Sequence, residues 1–340
     1  MLSLSDLAVP LLGAPMAGGP GTPRLAAAVS EAGGLGFLAA GYLTAERLAA
    51  DIAQTRAITP GPVGVNIFVP QQCTASAGEL DAYRRALLPL ARRFGVEPGV
   101  PRHDDDAWEA KLEVVADTRP EAVSFTFGCP PAAVLSRLRE LGILTLVTVT
   151  SRSEAEQSLA AGAGALVAQG PEAGGHRSVF APDRRPPKAP LGALLTVTVG
   201  AGVPVVAAGG IGDAAAVARV LAGGAVAAQV GTALLLCDEA ATNPVHRAAL
   251  SGSEFSATVV TPCFTGRHAR SLANDFTGRY DAIAPLGYPQ VHQITGPIRA
   301  AAVAAGDPQA TSLWVGTAWR DIGGGSAARI VTALGEGSCR

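Results

Sequence analysis

One histidine of the chain stands where it could work on a flat ligand. Residues 168–177 read AQGPEAGGHR: an apolar run ends in Gln169, and Gly174 and Gly175 lead directly into His176. Glycine lets a backbone pass close to another surface. A neutral imidazole held above that surface can take a proton near pH 7. The plain alternative is a structural histidine bonded to its own loop. The remaining histidines, His103, His246, His268 and His292, do not follow a strand through glycines. No pair of them has metal-ligand spacing, so no metal is expected.

Other polar groups end apolar runs in the same way. Asn66 lies in VGVNIF, and Gln169 closes ALVAQG. A side-chain amide both donates and accepts, which suits the edge of a heterocycle bearing carbonyl and N–H groups. Each could instead tie down a neighbouring loop. Two glycine turns add a second chemistry. AAGGIGD carries Gly209 and Gly210, and QVGT spans Gln229, Val230, Gly231 and Thr232. Backbone N–H groups at such turns cradle phosphate where a helix begins. Either turn alone reads as a tight connection; the two together, in this order, read as a phosphate site. Cys129 follows another apolar run and is either a small buried residue or a thiol in the pocket. GLGFLA (34–39) loosely matches a dinucleotide fingerprint, but it begins a strand instead of following one and is set aside.

These groups need elements to position them. Eight β-branched runs, at 11–17, 34–40, 63–68, 122–127, 144–150, 165–170, 204–210 and 227–236, alternate with helical patterns. Continuous apolar runs are what strands covered on both faces look like. Helix signals lie between them. Ser151 and Glu154 have capping-box spacing, Asp213 can cap a helix ending at Gly223, and Pro130 and Pro131 open one ending at Gly142. SEAGGLGFLAAG (30–41), LAAGAGALVAQG (159–170) and LAGGAVAAQVGT (221–232) repeat one design: helix, glycine turn, strand. Eight such units predict an α/β fold, a closed (β/α)8 TIM barrel, with an open doubly wound sheet as the alternative. Its active site would lie at the C-terminal strand ends, where the groups above fall. Residues 1–236 are assigned to the barrel, with a helical excursion over 70–121. Residues 237–340 are assigned to the last barrel helix and an added lobe covering the barrel mouth.

Composition narrows the setting. The chain has 340 residues, a net charge of −2, 48% hydrophobic and 16% charged residues. Gly and Pro interrupt every long apolar run, so no membrane span is expected. No basic block or aromatic wealth points to nucleic acid. Five cysteines, an odd number without a C-x-x-C, fit reduced thiols in a cytoplasmic protein. A homodimer through an apolar patch on the 237–340 lobe is a further expectation.

The same residues carry a resemblance. APMAGG (14–19), SEAGGLGFLAAG, GVNIFVP (64–70), AQGPEAGGHR, PVVAAGGIGD (204–213), QVGTALL (229–235), FTGRHARSLAND (264–275) and LWVGTA (313–318) are similar, in order, to the nitronate monooxygenase family, also called 2-nitropropane dioxygenases. The resemblance implies FMN in a TIM barrel, with no obligatory pyridine nucleotide. It implies that Met16 meets the flavin through its backbone, and Asn66 and Gln169 through their amides. Gly174 and Gly175 would lie along it, and Gly209, Gly210 and residues Gln229, Val230, Gly231 and Thr232 would hold its phosphate. His176 takes the position of the catalytic histidine. A nitronate or nitroalkane would react with dioxygen to give a carbonyl compound and nitrite. SFTFGCP departs from the pattern: Thr126 and Cys129 stand where a histidine or another residue is expected around F-G-x-P, which bears on the substrate. The rival readings are an NAD(P)H-linked reductase on the same barrel (an enoyl reductase of fatty-acid synthesis or an NADH:quinone reductase) and a non-catalytic FMN- or phosphate-binding protein.

Overall fold

Eight parallel strands close on themselves in the computed structural model, which describes residues 1–336. They are β1 (Leu11–Gly13), β2 (Leu35–Ala39), β3 (Val63–Phe68), β4 (Ala122–Thr126), β5 (Leu144–Val149), β6 (Ala165–Gln169), β8 (Val205–Ala208) and β9 (Ala227–Val230). β1 pairs with both β2 and β9, which completes the barrel. Each of the eight sequence runs contains one strand. The first and last runs overreach. Residues beyond Gly13 form the glycine loop, and Thr232–Leu234 turn into a short 3-10 helix.

The runs read as continuous because each strand has two dry faces. In β6, Ala165 and Val167 point into the barrel with Leu12, Leu35, Leu146 and Val206. Leu166 and Ala168 point outward, to helices that supply Leu191, Leu195 and Val217. Gly36 shows how close the layers come. A Cβ there would lie 1.9 Å from the carbonyl oxygen of Ala26, so helix Pro23–Glu31 rests directly on the strand backbone.

The capping signals hold in part. Asp213 accepts from Ala216 N at 2.6 Å. Ser151 accepts from Glu154 N, but the Glu154 carboxylate turns to Thr150 and to Phe180 N. The second half of the box is spent on a neighbouring loop instead.

The excursion over 70–121 divides. Helices Ala77–Ala86 and Leu88–Arg93, parted just ahead of Pro89, pack with helix Gln290–Ala304 around Tyr83, Phe264 and Ile294. Helix Trp108–Thr118 packs on β3 and on helix Ala45–Ile58, in the outer layer of the barrel. Beyond β9 the chain leaves the barrel and returns as helix Ala327–Gly335, which packs on Pro23–Glu31 and Ala214–Ala222. Between them lie β10 (Thr258–Thr261) and β11 (Ala269–Leu272). β11 pairs antiparallel with β10 and with a two-residue strand, β7 (Gly175–His176). No described helix is long and apolar enough to cross a membrane. On the returning segment, Ile283 is the large apolar side chain left exposed among the described residues.

Candidate active site

A cavity of about 540 Å³ opens at the C-terminal ends of the strands, within the size range of cofactor sites. All twelve residues singled out in the sequence line it: Met16, Asn66, Gln169, Gly174, Gly175, His176, Gly209, Gly210, Gln229, Val230, Gly231 and Thr232. Strand ends put them there, because parallel strands all present their C-termini on one side.

The glycines act on one another's loops. At Gly174 a Cβ would lie 2.5 Å from Gly316 N, and at Gly209, 2.8 Å from Ala173 N. Gly209 and Gly210 also have positive φ, 109° and 70°. Gly174 therefore makes room for the returning segment rather than for open cavity. Gly175, with φ of 69°, has nothing within 4 Å of such a Cβ. Thr232 joins the same closure, accepting from Gly316 N at 2.9 Å.

The two amides are engaged with protein. Gln169 donates to His176 O at 3.1 Å and accepts from Ser178 N at 2.9 Å, so it staples the glycine loop from inside. Asn66 Nδ2 donates to Ser124 O, Ser124 Oγ and Thr126 Oγ1, all within 3.1 Å. Thr126, the departure noted in SFTFGCP, thus holds Asn66. Cys129 does not reach the cavity: its thiol donates to Pro130 O, and it packs with the core beneath β3 and β4.

His176 is the second residue of β7, and its backbone pairs with Ala269. Its Nε2 lies 3.0 Å from Thr265 Oγ1. Phe127, Trp314 and Tyr288 surround the ring, with centroids 5.4, 5.6 and 5.8 Å away. Phe127 holds an unusual backbone for a large residue, φ 80°, which costs on the order of 1–3 kcal/mol. It is held by its N–H donating to Ser178 Oγ at 3.1 Å and by the Arg267 guanidinium 4.1 Å above its ring. Burial, with Arg267 and Arg299 near, pushes His176 down to about 3, so the ring is neutral.

The sequence predicts a lobe over the barrel mouth but singles out none of its side chains for the site. This roof brings Thr265, His292, Arg299 and Trp314 to the cavity, and His246 closes one wall. His246, hydrogen-bonded to the Trp314 backbone, is pushed to about 4 by burial, and its Nε2 is buried without a partner. Burial likewise holds His292 near 2. His292 stacks on Tyr42 at 4.3 Å, and the Tyr288 hydroxyl donates to that of Tyr42 at 3.4 Å. Tyr42 N donates to Asp106, whose other oxygen pairs with the fully buried Lys111 at 2.7 Å. A second cavity of about 490 Å³ shares Tyr42, Phe68, His292 and Gly296 with the first. The signal that could have found this wall is spacing: 292, 296, 299, 300 and 303 share one helix face.

No cluster of three or more potential metal ligands occurs among the described residues. The family model described as nitronate monooxygenase matches residues 2–337. A nitronate monooxygenase of Pseudomonas aeruginosa is 40% identical over 319 residues, covering 90% of each chain. One from Paraburkholderia phytofirmans is 39% identical over 326 residues, covering 94% of this chain and 89% of that one. Among solved structures, nitroalkane oxidase from Streptomyces ansochromogenes superposes with a TM-score of 0.93 at 43% identity, covering 98% of this chain and 96% of its own. FabK from Thermotoga maritima is more distant, with a TM-score of 0.74 at 28% identity over 98% of this chain and 94% of its own.

Proposed function

Because the chain belongs to the nitronate monooxygenase family, we propose that it is an FMN-dependent cytoplasmic enzyme that oxidises nitronates or nitroalkanes with dioxygen, releasing a carbonyl compound and nitrite. The observation that carries this reading is a neutral histidine at the strand-end cavity, boxed by aromatic rings and free of any carboxylate contact.

The cavity fits a flavin mononucleotide in size and in lining. Its floor is backbone from two glycine turns, and Gly231 opens a short helical turn. N–H groups at such a turn suit the phosphate. Gly175 leaves open space beside the loop, and Gln169 keeps one amide N–H beyond its bond to His176 O. Met16, Asn66, Gln169, Gly175, Gly209, Gly210, Gln229, Val230, Gly231 and Thr232 would hold the group, with Gly174 holding their loop against the returning segment. Bound FMN supplies one-electron transfer between nitronate and dioxygen. The barrel, residues 1–236, is the cofactor half, and residues 237–340 supply the last barrel helix and the lobe that covers the substrate.

His176 handles the proton. Thr265 has one hydroxyl hydrogen and two acceptors in reach, His176 Nε2 and Arg267 O, the latter at 3.2 Å. When it donates to Arg267 O, His176 Nε2–H donates to Thr265 and Nδ1 is the basic nitrogen. That nitrogen takes the α-proton of a nitroalkane, or lies unused beside a preformed nitronate. Burial, and then two nearby guanidinium groups, weaken it as a base, and a bound anion would offset the guanidinium part.

The test is dioxygen uptake by the FMN-loaded protein on adding propyl nitronate without NADH. Uptake with nitrite release is expected. Silence there, with activity restored by NAD(P)H and another acceptor, would transfer the barrel to the reductases.

A further inference from the structure

The wall of the main cavity carries one formally charged side chain among the described residues. It is Arg299, and no Asp, Glu or Lys lines the same space. The three histidines on that wall are held neutral by burial. Arg299 rises from helix Gln290–Ala304, and its partners are all uncharged. Nε donates to Thr295 Oγ1 at 3.0 Å, Nη2 lies 3.1 Å from His292 Nδ1 and donates to His292 O at 3.3 Å, and Nη1 reaches Ser312 Oγ only at 3.5 Å.

The fully buried Arg177 and Arg267 and the half-buried Arg270 are different. Arg267 spends its guanidinium on the carbonyls of Arg177 and Val179 and on the Gln71 amide, outside the cavity. Arg177 and Arg270 both feel the Glu172 carboxylate. Arg299 feels none. Arg299 is half-buried, inside the protein but lining the cavity, and a cation so enclosed without a counter-ion is costly unless a ligand supplies the charge.

A bound phosphate is a poor candidate for that ligand, because its cradle lies at β8 and β9. Arg299 instead adjoins His292, and His176 and Tyr42 both feel its charge, which places it at the imidazole end. A guanidinium is planar and donates in parallel pairs, the match for a planar O–N–O group sharing one negative charge.

We infer that Arg299 is the substrate-anchoring residue, binding the oxygens of the nitronate, so that the cavity selects the anion over the neutral nitroalkane. This rests on the function proposed above. It adds a specificity-determining residue from the roof. The bound anion lies beside His176, and any proton taken from a neutral substrate leaves that same anion on Arg299.

Nitrate is the probe, a planar oxyanion that does not react. Its affinity for the FMN-loaded protein is measured by calorimetry, alongside kcat and KM for propyl nitronate and 1-nitropropane. Arg299→Met should weaken nitrate roughly 10- to 100-fold. It should raise KM for the nitronate by a similar factor and alter the neutral substrate by less than about threefold. Arg299→Lys should recover part of both, and FMN content should stay that of the parent. Arg299→Gln keeps a neutral donor and carries the same comparison if the methionine variant does not fold. Nitrate that fails to bind the parent protein, or binds every variant equally, overturns the anchor. So does loss of FMN with nitrate binding intact, which would assign Arg299 to the cofactor. If nitrate binding depends on Arg299 but nitronates are not oxidised, the proposed function falls and the anion site stands.

Discussion

The barrel floor and the roof of the cavity solve different problems. The floor is built mostly of backbone: glycine turns after β6, β8 and β9, packed so closely that a Cβ at Gly174 or Gly209 would collide with a neighbouring main chain. The roof is built of side chains: Trp314, His292, Arg299 and Thr265, with the only charge in the wall among the described residues. Backbone N–H groups recognise a phosphate, whatever else the ligand carries. Side chains on a helix can be exchanged one by one. The contrast separates holding a cofactor, which needs shape, from choosing a substrate, which needs particular groups.

The sharpest way to break this division is at His176, where the halves meet. His176→Ala should lower kcat/KM for 1-nitropropane by about 10²–10⁴, and for propyl nitronate far less. Equal losses on both would leave His176 a binding group only. A floor change comes next. Gly174→Val forces a side chain against Gly316 and should weaken FMN retention roughly tenfold, read as flavin content after dialysis. Retention unchanged would mean the loop can shift. On the roof, Thr265→Val removes the hydroxyl at His176 Nε2. A roughly fivefold loss on 1-nitropropane is expected, with a displaced pH profile and little effect on the nitronate; an unmoved profile would separate Thr265 from the proton.

The smallest effect concerns stability. His246 is held near 4 in the fold against 6.5 when free. The unfolded chain therefore takes the proton first as pH falls. The contribution of the neutral ring is whole above pH 6.5 and drains away between 6.5 and about 4. Thermal melting at pH 7 and 5 should differ by a few degrees more in the parent than in His246→Gln. Parallel slopes would show that His246 titrates normally.

The floor was legible because chemistry and secondary structure coincide in one stretch. Gln169 ends a strand, the glycines turn, and His176 follows, so one short reading contains group and position. The repeat of helix, glycine and strand gave the barrel for the same reason. The roof depends on contacts across the chain. Thr265 reaches His176 over a separation of 89 residues. Arg299 lies on a helix whose cavity face mixes His292, Gly296 and Ala300, a pattern without a marked apolar stripe. Nothing local to Arg299 shows that it lacks a carboxylate; only packing does. Asn66 shows the other limit. Its place was readable, but the three acceptors that occupy its nitrogen were not. Of the five cysteines, Cys339 lies outside the described residues.

The pairing of β7 with β11 has a consequence for traffic. His176 hangs from the same short ladder that stitches the returning segment to the barrel, and Gln169 clamps it from the other side. A door hinged on that ladder could not swing without carrying the imidazole away from its work. The neighbouring chamber, which shares Tyr42 and His292 with the cavity, is lined by no residue of that ladder, so it can change shape while the imidazole stays where it is.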